Sequence, residues 1–266
     1  MLGELYRPSG LAFETAKAVL EVEDPYAVNV ALGCSNGCKY CYVPKFMRRS
    51  SKACLNVRLP RKSTVELVND QLYRKPSFKV PDGVFLSFLT DPFLPEVARD
   101  TEKLIEMLVG CGIRVATLSK LSWSGIHGVR QGMTIVSLDD AFWKEYEPNT
   151  THPIHRLIAL KTCKREFQDF VWVSMEPYPP SSILKQDFEA LLQELKFVDL
   201  MVFGKWNYDS RARTEEARIE YAQNIDTLVS FCRKNKIRLH IKSDTWKWAY
   251  ESRHEQDPCE FLGAES

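Results

Sequence analysis

Short, nearly continuous apolar runs alternate with longer stretches of helical period along most of the chain. Ala27–Leu32, Val84–Leu89, Arg114–Leu118, Met133–Leu138, Phe170–Met175, Leu200–Phe203 and Arg238–Ile241 read as strands. Their unbroken apolar character is that of parallel strands covered on both faces. Ser63–Tyr73, Pro95–Gly110, Pro153–Phe167, Ser182–Leu195 and Thr214–Asn235 read as helices. Ser63-Thr64-Val65-Glu66 has the form of a capping box at the start of the first helix. Leu104, Met107, Leu108 and Cys111 follow a helical period, which places Cys111 in the core, and Cys163 and Cys232 read the same way. Strand–helix alternation with right-handed crossovers gives an α/β fold, a parallel sheet curled into a partial (β/α) barrel of the TIM type.

In such folds chemistry gathers at the C-terminal ends of the strands. Cys34 follows the first strand, Thr90-Asp91 the second and Ser119-Lys120 the third, while Ser137 ends the fourth and Glu176 the fifth. Each alone is compatible with capping a turn or helix. Together they outline one site.

Size and charge narrow the picture only a little. The chain has 266 residues, enough for one α/β barrel of roughly 200–250 residues. The expected organisation is an N-terminal extension over residues 1–24, a barrel domain over 25–245 and a C-terminal tail over 246–266. Net charge is +1, so overall composition does not announce a nucleic-acid binder. No apolar run approaches the ~18–20 residues of a membrane span. The start, Met1-Leu2-Gly3-Glu4-Leu5-Tyr6-Arg7, lacks the basic and apolar regions of a secretory signal, so a reducing cytoplasmic setting without membrane contact is expected.

Candidate chemistry changes it more. Cys34, Cys38 and Cys41 stand as CxxxCxxC, three thiols within eight residues. A structural zinc site wants four ligands, and the chain has no second CxxC or HxxxH. Cysteines this close also make poor disulfide partners. The spacing favours an iron–sulfur cluster with three protein thiolates, which leaves one iron open, and an open position is where a metal centre does chemistry. Cys54, Cys111, Cys163, Cys232 and Cys259 are scattered singly, and the five histidines show no ligand spacing.

The cysteine motif, with Tyr40 before its last member, resembles the radical SAM signature. From about residue 25 to about residue 180 the chain resembles the spore photoproduct lyase-like branch. The resemblance rests on Thr90-Asp91-Pro92-Phe93-Leu94-Pro95-Glu96, Leu118-Ser119-Lys120, Val136-Ser137-Leu138, Glu147-Pro148-Asn149 with Arg156-Leu157, and Val173-Ser174-Met175-Glu176-Pro177. It implies a [4Fe–4S] cluster on Cys34, Cys38 and Cys41, with S-adenosylmethionine on the fourth iron. It also implies an external electron donor such as flavodoxin or ferredoxin. Tyr40 would lie near the adenine or pack beside the cluster loop. Lys120 would reach the methionine carboxylate or stand solvated after its strand, and Ser137 would bond the cofactor's polar end or cap a turn. Thr90 falls in the same cofactor-binding set. Glu176 would bind a ribose hydroxyl or the amino group, or form an ion pair with Arg156. Tyr42 would be a catalytic phenol relaying hydrogen, or would simply pack. Asp91 reads as a cap for the following helix. One departure stands out: Ser87–Asp91 contains no cysteine, where spore photoproduct lyases carry a hydrogen-donating one.

Lys45, Arg48, Arg49, Lys52, Arg58, Arg61 and Lys62 give seven positive charges in eighteen residues with no acid between them. That stretch suits a phosphate backbone or a solvated loop. Phe46 and Met47 within it read as packing residues. Gly204-Lys205-Trp206-Asn207-Tyr208 is expected at the substrate rim. A second aromatic and basic cluster comprises Lys242, Trp246, Lys247, Trp248, Tyr250 and Arg253. Trp246 and Trp248 are expected on opposite sides of an extended segment, one covering the barrel's open end and the other exposed, with stacking on a base as the alternative. The expected function is hydrogen abstraction from an unidentified substrate, with nucleic acid or a nucleotide favoured. A peptide or small-metabolite substrate, and a non-catalytic iron–sulfur sensing module, are the rivals.

Overall fold

The computed structural model describes residues 2–75, 77–122 and 126–250. Eight strands form one sheet in chain order: β1 (Leu5–Tyr6), β2 (Tyr26–Val28), β3 (Gly83–Leu86), β4 (Arg114–Ser119), β5 (Arg130–Thr134), β6 (Val171–Tyr178), β7 (Leu200–Lys205) and β8 (Arg238–Ile241). β1 runs antiparallel to β2, and every later neighbouring pair is parallel. Among the described residues β8 pairs only with β7, so the barrel stays open.

Side chains alternate across each strand, and the two sets meet different partners. Val84, Leu86 and Val115 pack against Leu104, Ile105 and Leu108 of α5 (Ala98–Gly110). Val171, Val173 and Met175 pack against Leu191, Leu192 and Leu195 of α8 (Phe188–Leu195) and Ile225 and Leu228 of α9 (Glu215–Asn235). The other set, Phe85, Ala116, Trp172, Leu200 and Val202, faces inward. It closes around Ala16, Val19 and Leu20 of α1 (Gly10–Leu20). An N-terminal helix therefore fills the barrel lumen. Its other end reaches the upper cavity, where Leu11, Ala12 and Thr15 form part of the wall.

Short helices α2 (Val43–Phe46) and α3 (Ser51–Cys54) follow the cysteine loop, and α4 (Thr64–Arg74) begins where Ser63 Oγ accepts the Val65 N–H. α6 (Asp140–Tyr146) and α7 (Pro153–Thr162) lie between β5 and β6, and α10 (Ser243–Ala249) follows β8.

Several boundaries differ from the sequence reading. The fourth expected strand, Met133–Leu138, is displaced to Arg130–Thr134. Ile135 and Val136 stay buried beyond its end, so apolarity outruns the strand. α8 starts at Phe188, where Asp187 accepts the Ala190 N–H at 2.9 Å. Cys111 is exposed: it is the C-cap residue of α5, past the last buried turn. Cys232 is buried as expected, and Cys163 is partly so. Trp246 and Trp248 sit on a helix, with ring centroids 4.3 Å from Tyr250 and 5.5 Å from Tyr221. Arg253, His254, Cys259 and the tail from Glu255 lie outside the described residues.

Candidate active site

The loop after β2 carries the three cysteines across the upper end of the barrel, and it is fastened from three sides. On the first, Leu32 and Arg58 exchange backbone hydrogen bonds of 3.0 and 2.9 Å, and the Cys34 N–H donates to the Cys54 carbonyl at 2.8 Å. The approach is close enough that a Cβ on Gly33 (φ +96°) would lie 2.4 Å from the Asn56 carbonyl oxygen. Only glycine meets both demands.

On the second side, the segment after α6 holds the loop. The Lys39 N–H donates to the Tyr146 carbonyl at 2.9 Å, and Asn149 Nδ2 to the Ser35 carbonyl at 3.2 Å. The Tyr40 hydroxyl donates to the Glu147 carboxylate. Glu147 is ion-paired to Arg156, and both are buried. Arg156 also donates to the carbonyls of Thr134 at 2.6 Å and Thr151 at 2.8 Å. A buried pair persists when further hydrogen bonds satisfy it in this way.

On the third side stands Asp91. Its Oδ2 accepts from Asn36 Nδ2 at 3.0 Å and from the Lys120 N–H at 2.8 Å. Its Oδ1 accepts from Ser119 Oγ at 2.7 Å and from the Phe93 N–H at 3.1 Å. The expected helix-cap role is thereby corrected. α5 begins seven residues later, at Ala98, with no side-chain cap, and Asp91 instead ties the cysteine loop to the end of β4.

A cavity of about 310 Å³ lies among these elements. Cys34, Cys38, Tyr40, Cys41, Tyr42, Thr90, Lys120 and Glu176 all line it. Lys120 extends its ammonium over the Tyr40 ring, 5.4 Å from the centroid, and makes no ion pair among the described residues. Burial pulls the pKa of this lysine down, but Cys38 and Glu147 outweigh burial and the net shift is upward. Tyr42 lines the wall, its hydroxyl donating to the Phe88 carbonyl. Asn29 fixes that carbonyl's segment by accepting the N–H groups of Phe88 and Leu89, each at 3.0 Å. Glu176 pairs with Lys242 at 3.2 Å and not with Arg156.

Of the residues expected to hold cluster or cofactor, Ser137 alone is not brought to the cavity. Its Oγ accepts the Asp139 N–H at 3.0 Å and closes a turn. Thr134, at the true end of β5, and Ser174 of β6 line the wall there. Residues the sequence reading gave no role include Asn36, Glu147 and Lys242. Lys242 follows β8 just as Lys120 follows β4, so the strand-end rule extended to the last strand finds it.

The three thiols are all free, and they are soft donors of the kind iron–sulfur clusters take. Among the described residues, no three Cys, His, Asp or Glu side chains are gathered about one metal-holding point, so the thiols share a wall and not a centre. Burial pushes the Cys34 thiol up to about 11, with Asp91 adding to it, and the Cys38 thiol up to about 12, opposed by Lys120. Such thiols ionise readily only against a cation, and a bound metal supplies one. Donor type, number and the adjoining space thus fit a cluster with one open iron.

All seven cations of the basic stretch are exposed and form no ion pair among the described residues. Lys45 lies 4.2 Å from the centroid of Tyr208, which lines the cavity with Asn207. Trp206 is buried instead, 5.0 Å from the Tyr40 ring. Phe46 is 67 % exposed, which corrects its reading as a packing residue. Among the described residues no helix is long and apolar enough to cross a membrane.

No family model matches the sequence. It is 27 % identical over 222 residues to protein ORF301 of Acidianus two-tailed virus, covering 76 % of this chain and 73 % of that protein. The structure is similar to spore photoproduct lyase complexed with dinucleoside spore photoproduct, at a TM-score of 0.57 and 14 % identity over 82 % of this chain and 76 % of that one. It is similar also to Streptococcus suis SuiB bound to precursor peptide SuiA, at a TM-score of 0.57 and 10 % identity over 90 % of this chain and 54 % of that one. A SuiB structure with S-adenosylmethionine bound matches at a TM-score of 0.52. The chain has the mostly parallel (β/α) barrel fold of the radical SAM enzymes.

Proposed function

We propose that the chain is a radical SAM enzyme acting on nucleic acid or a nucleotide. The observation that carries the reading is one cavity, at the C-terminal ends of the strands, walled by Cys34, Cys38, Cys41, Lys120 and Glu176. A [4Fe–4S] cluster with S-adenosylmethionine would supply reductive cleavage to methionine and a 5′-deoxyadenosyl radical that abstracts hydrogen. Cys34, Cys38 and Cys41 would hold the cluster. Lys120, a cation beside them with no ion pair among the described residues, would bind the methionine carboxylate. Tyr40, held by Glu147, would form the wall against the adenine. Glu176, oriented by Lys242, would take a ribose hydroxyl or the amino group. Thr90 would contribute a hydroxyl at the same wall. Tyr42 would stand between cofactor and substrate as the phenol positioned to pass hydrogen. An acidic electron carrier such as flavodoxin or ferredoxin would provide the electron.

The exposed cations from Lys45 to Lys62 support the nucleic-acid reading, because they begin at the cavity rim and are not spent on ion pairs among the described residues. The two parts of the reading are tested separately. Anaerobically reconstituted protein given dithionite and S-adenosylmethionine should form 5′-deoxyadenosine, and Cys38→Ala should abolish it. A full cluster with no 5′-deoxyadenosine defeats the enzyme reading. Oligonucleotide binding should weaken with salt, with a log–log slope as steep as about −6 if all seven cations meet duplex phosphates. Binding indifferent to salt, or absent, defeats the nucleic-acid substrate and favours a peptide or metabolite.

A further inference from the structure

Asp91 is a buried acid beside the candidate site that the function proposed above leaves unused. Its carboxylate is 7 % exposed and has no cation as an ion-pair partner among the described residues. It spends both oxygens on four hydrogen bonds to three separate pieces of chain. Asn36, at 3.0 Å, belongs to the cysteine loop. Ser119 and the Lys120 N–H, at 2.7 and 2.8 Å, belong to the end of β4. The Phe93 N–H, at 3.1 Å, belongs to Asp91's own turn. Leaving a buried carboxylate unpaired by a cation is costly unless its lone pairs are filled, and here they are filled by the two elements that carry the candidate ligands.

We propose that Asp91 is a positioning residue: it sets the distance between the cysteine loop and Lys120, and so fixes where S-adenosylmethionine meets the open iron. The inference rests on the radical SAM reading of this site. Asp91 lines the cavity, but its carboxylate oxygens are taken up by these four hydrogen bonds. It acts through the backbone of Lys120 and the side chain of Asn36. Partners one shell out from a metal site typically change affinity or activity by 10–100-fold when removed. In Asp91→Asn one oxygen becomes an amide donor facing Asn36 and the Lys120 N–H or facing Ser119 and the Phe93 N–H, so two of the four bonds are lost without a change of size.

The test uses full-length protein reconstituted anaerobically, with iron content and S-adenosylmethionine affinity by calorimetry as readouts. Asp91→Asn should keep the wild-type iron content and bind S-adenosylmethionine about 10–100-fold more weakly. Ser119→Ala, which removes one bond, should weaken binding by about 2–10-fold. Lys120→Met should weaken it as well, and adding Asp91→Asn to Lys120→Met should cost less than ~3-fold more, because the acid acts through that lysine. The proposal is overturned if Asp91→Asn binds as wild type, or if its effect and that of Lys120→Met multiply. It is overturned also if Asp91→Asn loses its cluster while Ser119→Ala leaves affinity unchanged. A wild type that takes up cluster but no S-adenosylmethionine overturns the functional reading and this inference together. A wild type that binds it, beside an indifferent Asp91→Asn, overturns this inference alone.

Discussion

The two ends of the barrel use charge in opposite ways. At the lower end Arg114, Arg130 and Arg238 each begin a strand and converge on the end of α1. Arg238 donates to the Ala18 carbonyl at 3.1 Å, Arg130 to the Val19 carbonyl at 2.7 Å and Arg114 to the carbonyls of Leu20 and Glu21. The Glu21 carboxylate receives Arg130 and Arg238. Cations are favoured at a helix C-terminus, and here they fill the carbonyls that the helix itself leaves open. At the upper end Lys120 and the seven cations of the basic stretch make no ion pair among the described residues, and Asp91 has no cation. One end has its charges satisfied internally and seals the barrel. The other pairs Glu176 with Lys242 but keeps Lys120 and the basic stretch available, around a cavity of about 310 Å³. Stability and ligand binding should therefore separate along the barrel axis.

Substitutions at each end break or sharpen that contrast. The largest effect on stability is expected beneath the cysteine loop at the upper end, in Arg156→Ala. It leaves Glu147 buried without its partner and should cost about 3–5 kcal/mol, read by denaturant unfolding. Because Glu147 holds Tyr40, this variant should also take up cluster poorly. Lys120→Met comes next: a rise of about 10–100-fold in the S-adenosylmethionine dissociation constant with the melting temperature unchanged. Glu21→Ala is its opposite at the lower end. Its carboxylate is 41 % exposed, so the loss should be only about 1–2 kcal/mol, with S-adenosylmethionine affinity intact. The smallest effect belongs to Arg48→Ala or Arg49→Ala, each expected to reduce the salt slope of oligonucleotide binding by about one. A Glu21→Ala variant that lost cofactor affinity, or a Lys120→Met variant that lost stability, would show the two ends to be coupled.

Most of the upper end was legible in the sequence, because parallel strands buried on both faces write themselves as apolar runs and the residue after each run marks the mouth. The rule placed Cys34, Thr90, Lys120 and Glu176 around one cavity. It failed at Ser137, where apolar Ile135 and Val136 carry the pattern past the last ladder residue, Thr134. The lower end was not legible. α1 buries Thr15, Ala16, Val19 and Leu20 on one face, but a threonine and an alanine make half of that stripe, so its two-faced pattern is faint in the sequence. β1 has two residues, too few for any period. Asp91 was visible as a residue but not as a hub, since its partners lie 28 to 55 positions away at Ser119 and Asn36. The Trp246–Trp248 pair misled because a spacing of two suggests a strand, whereas α10 places both against the core.

The central claim is that three thiolates leave one iron open for S-adenosylmethionine at the upper end. The most direct test is electron paramagnetic resonance of the reconstituted, dithionite-reduced protein before and after adding S-adenosylmethionine. The account predicts a reduced [4Fe–4S] signal whose g values shift on addition, with the shift lost in Lys120→Met at the same cofactor concentration. A full cluster whose signal is indifferent to S-adenosylmethionine at saturating concentration would contradict it.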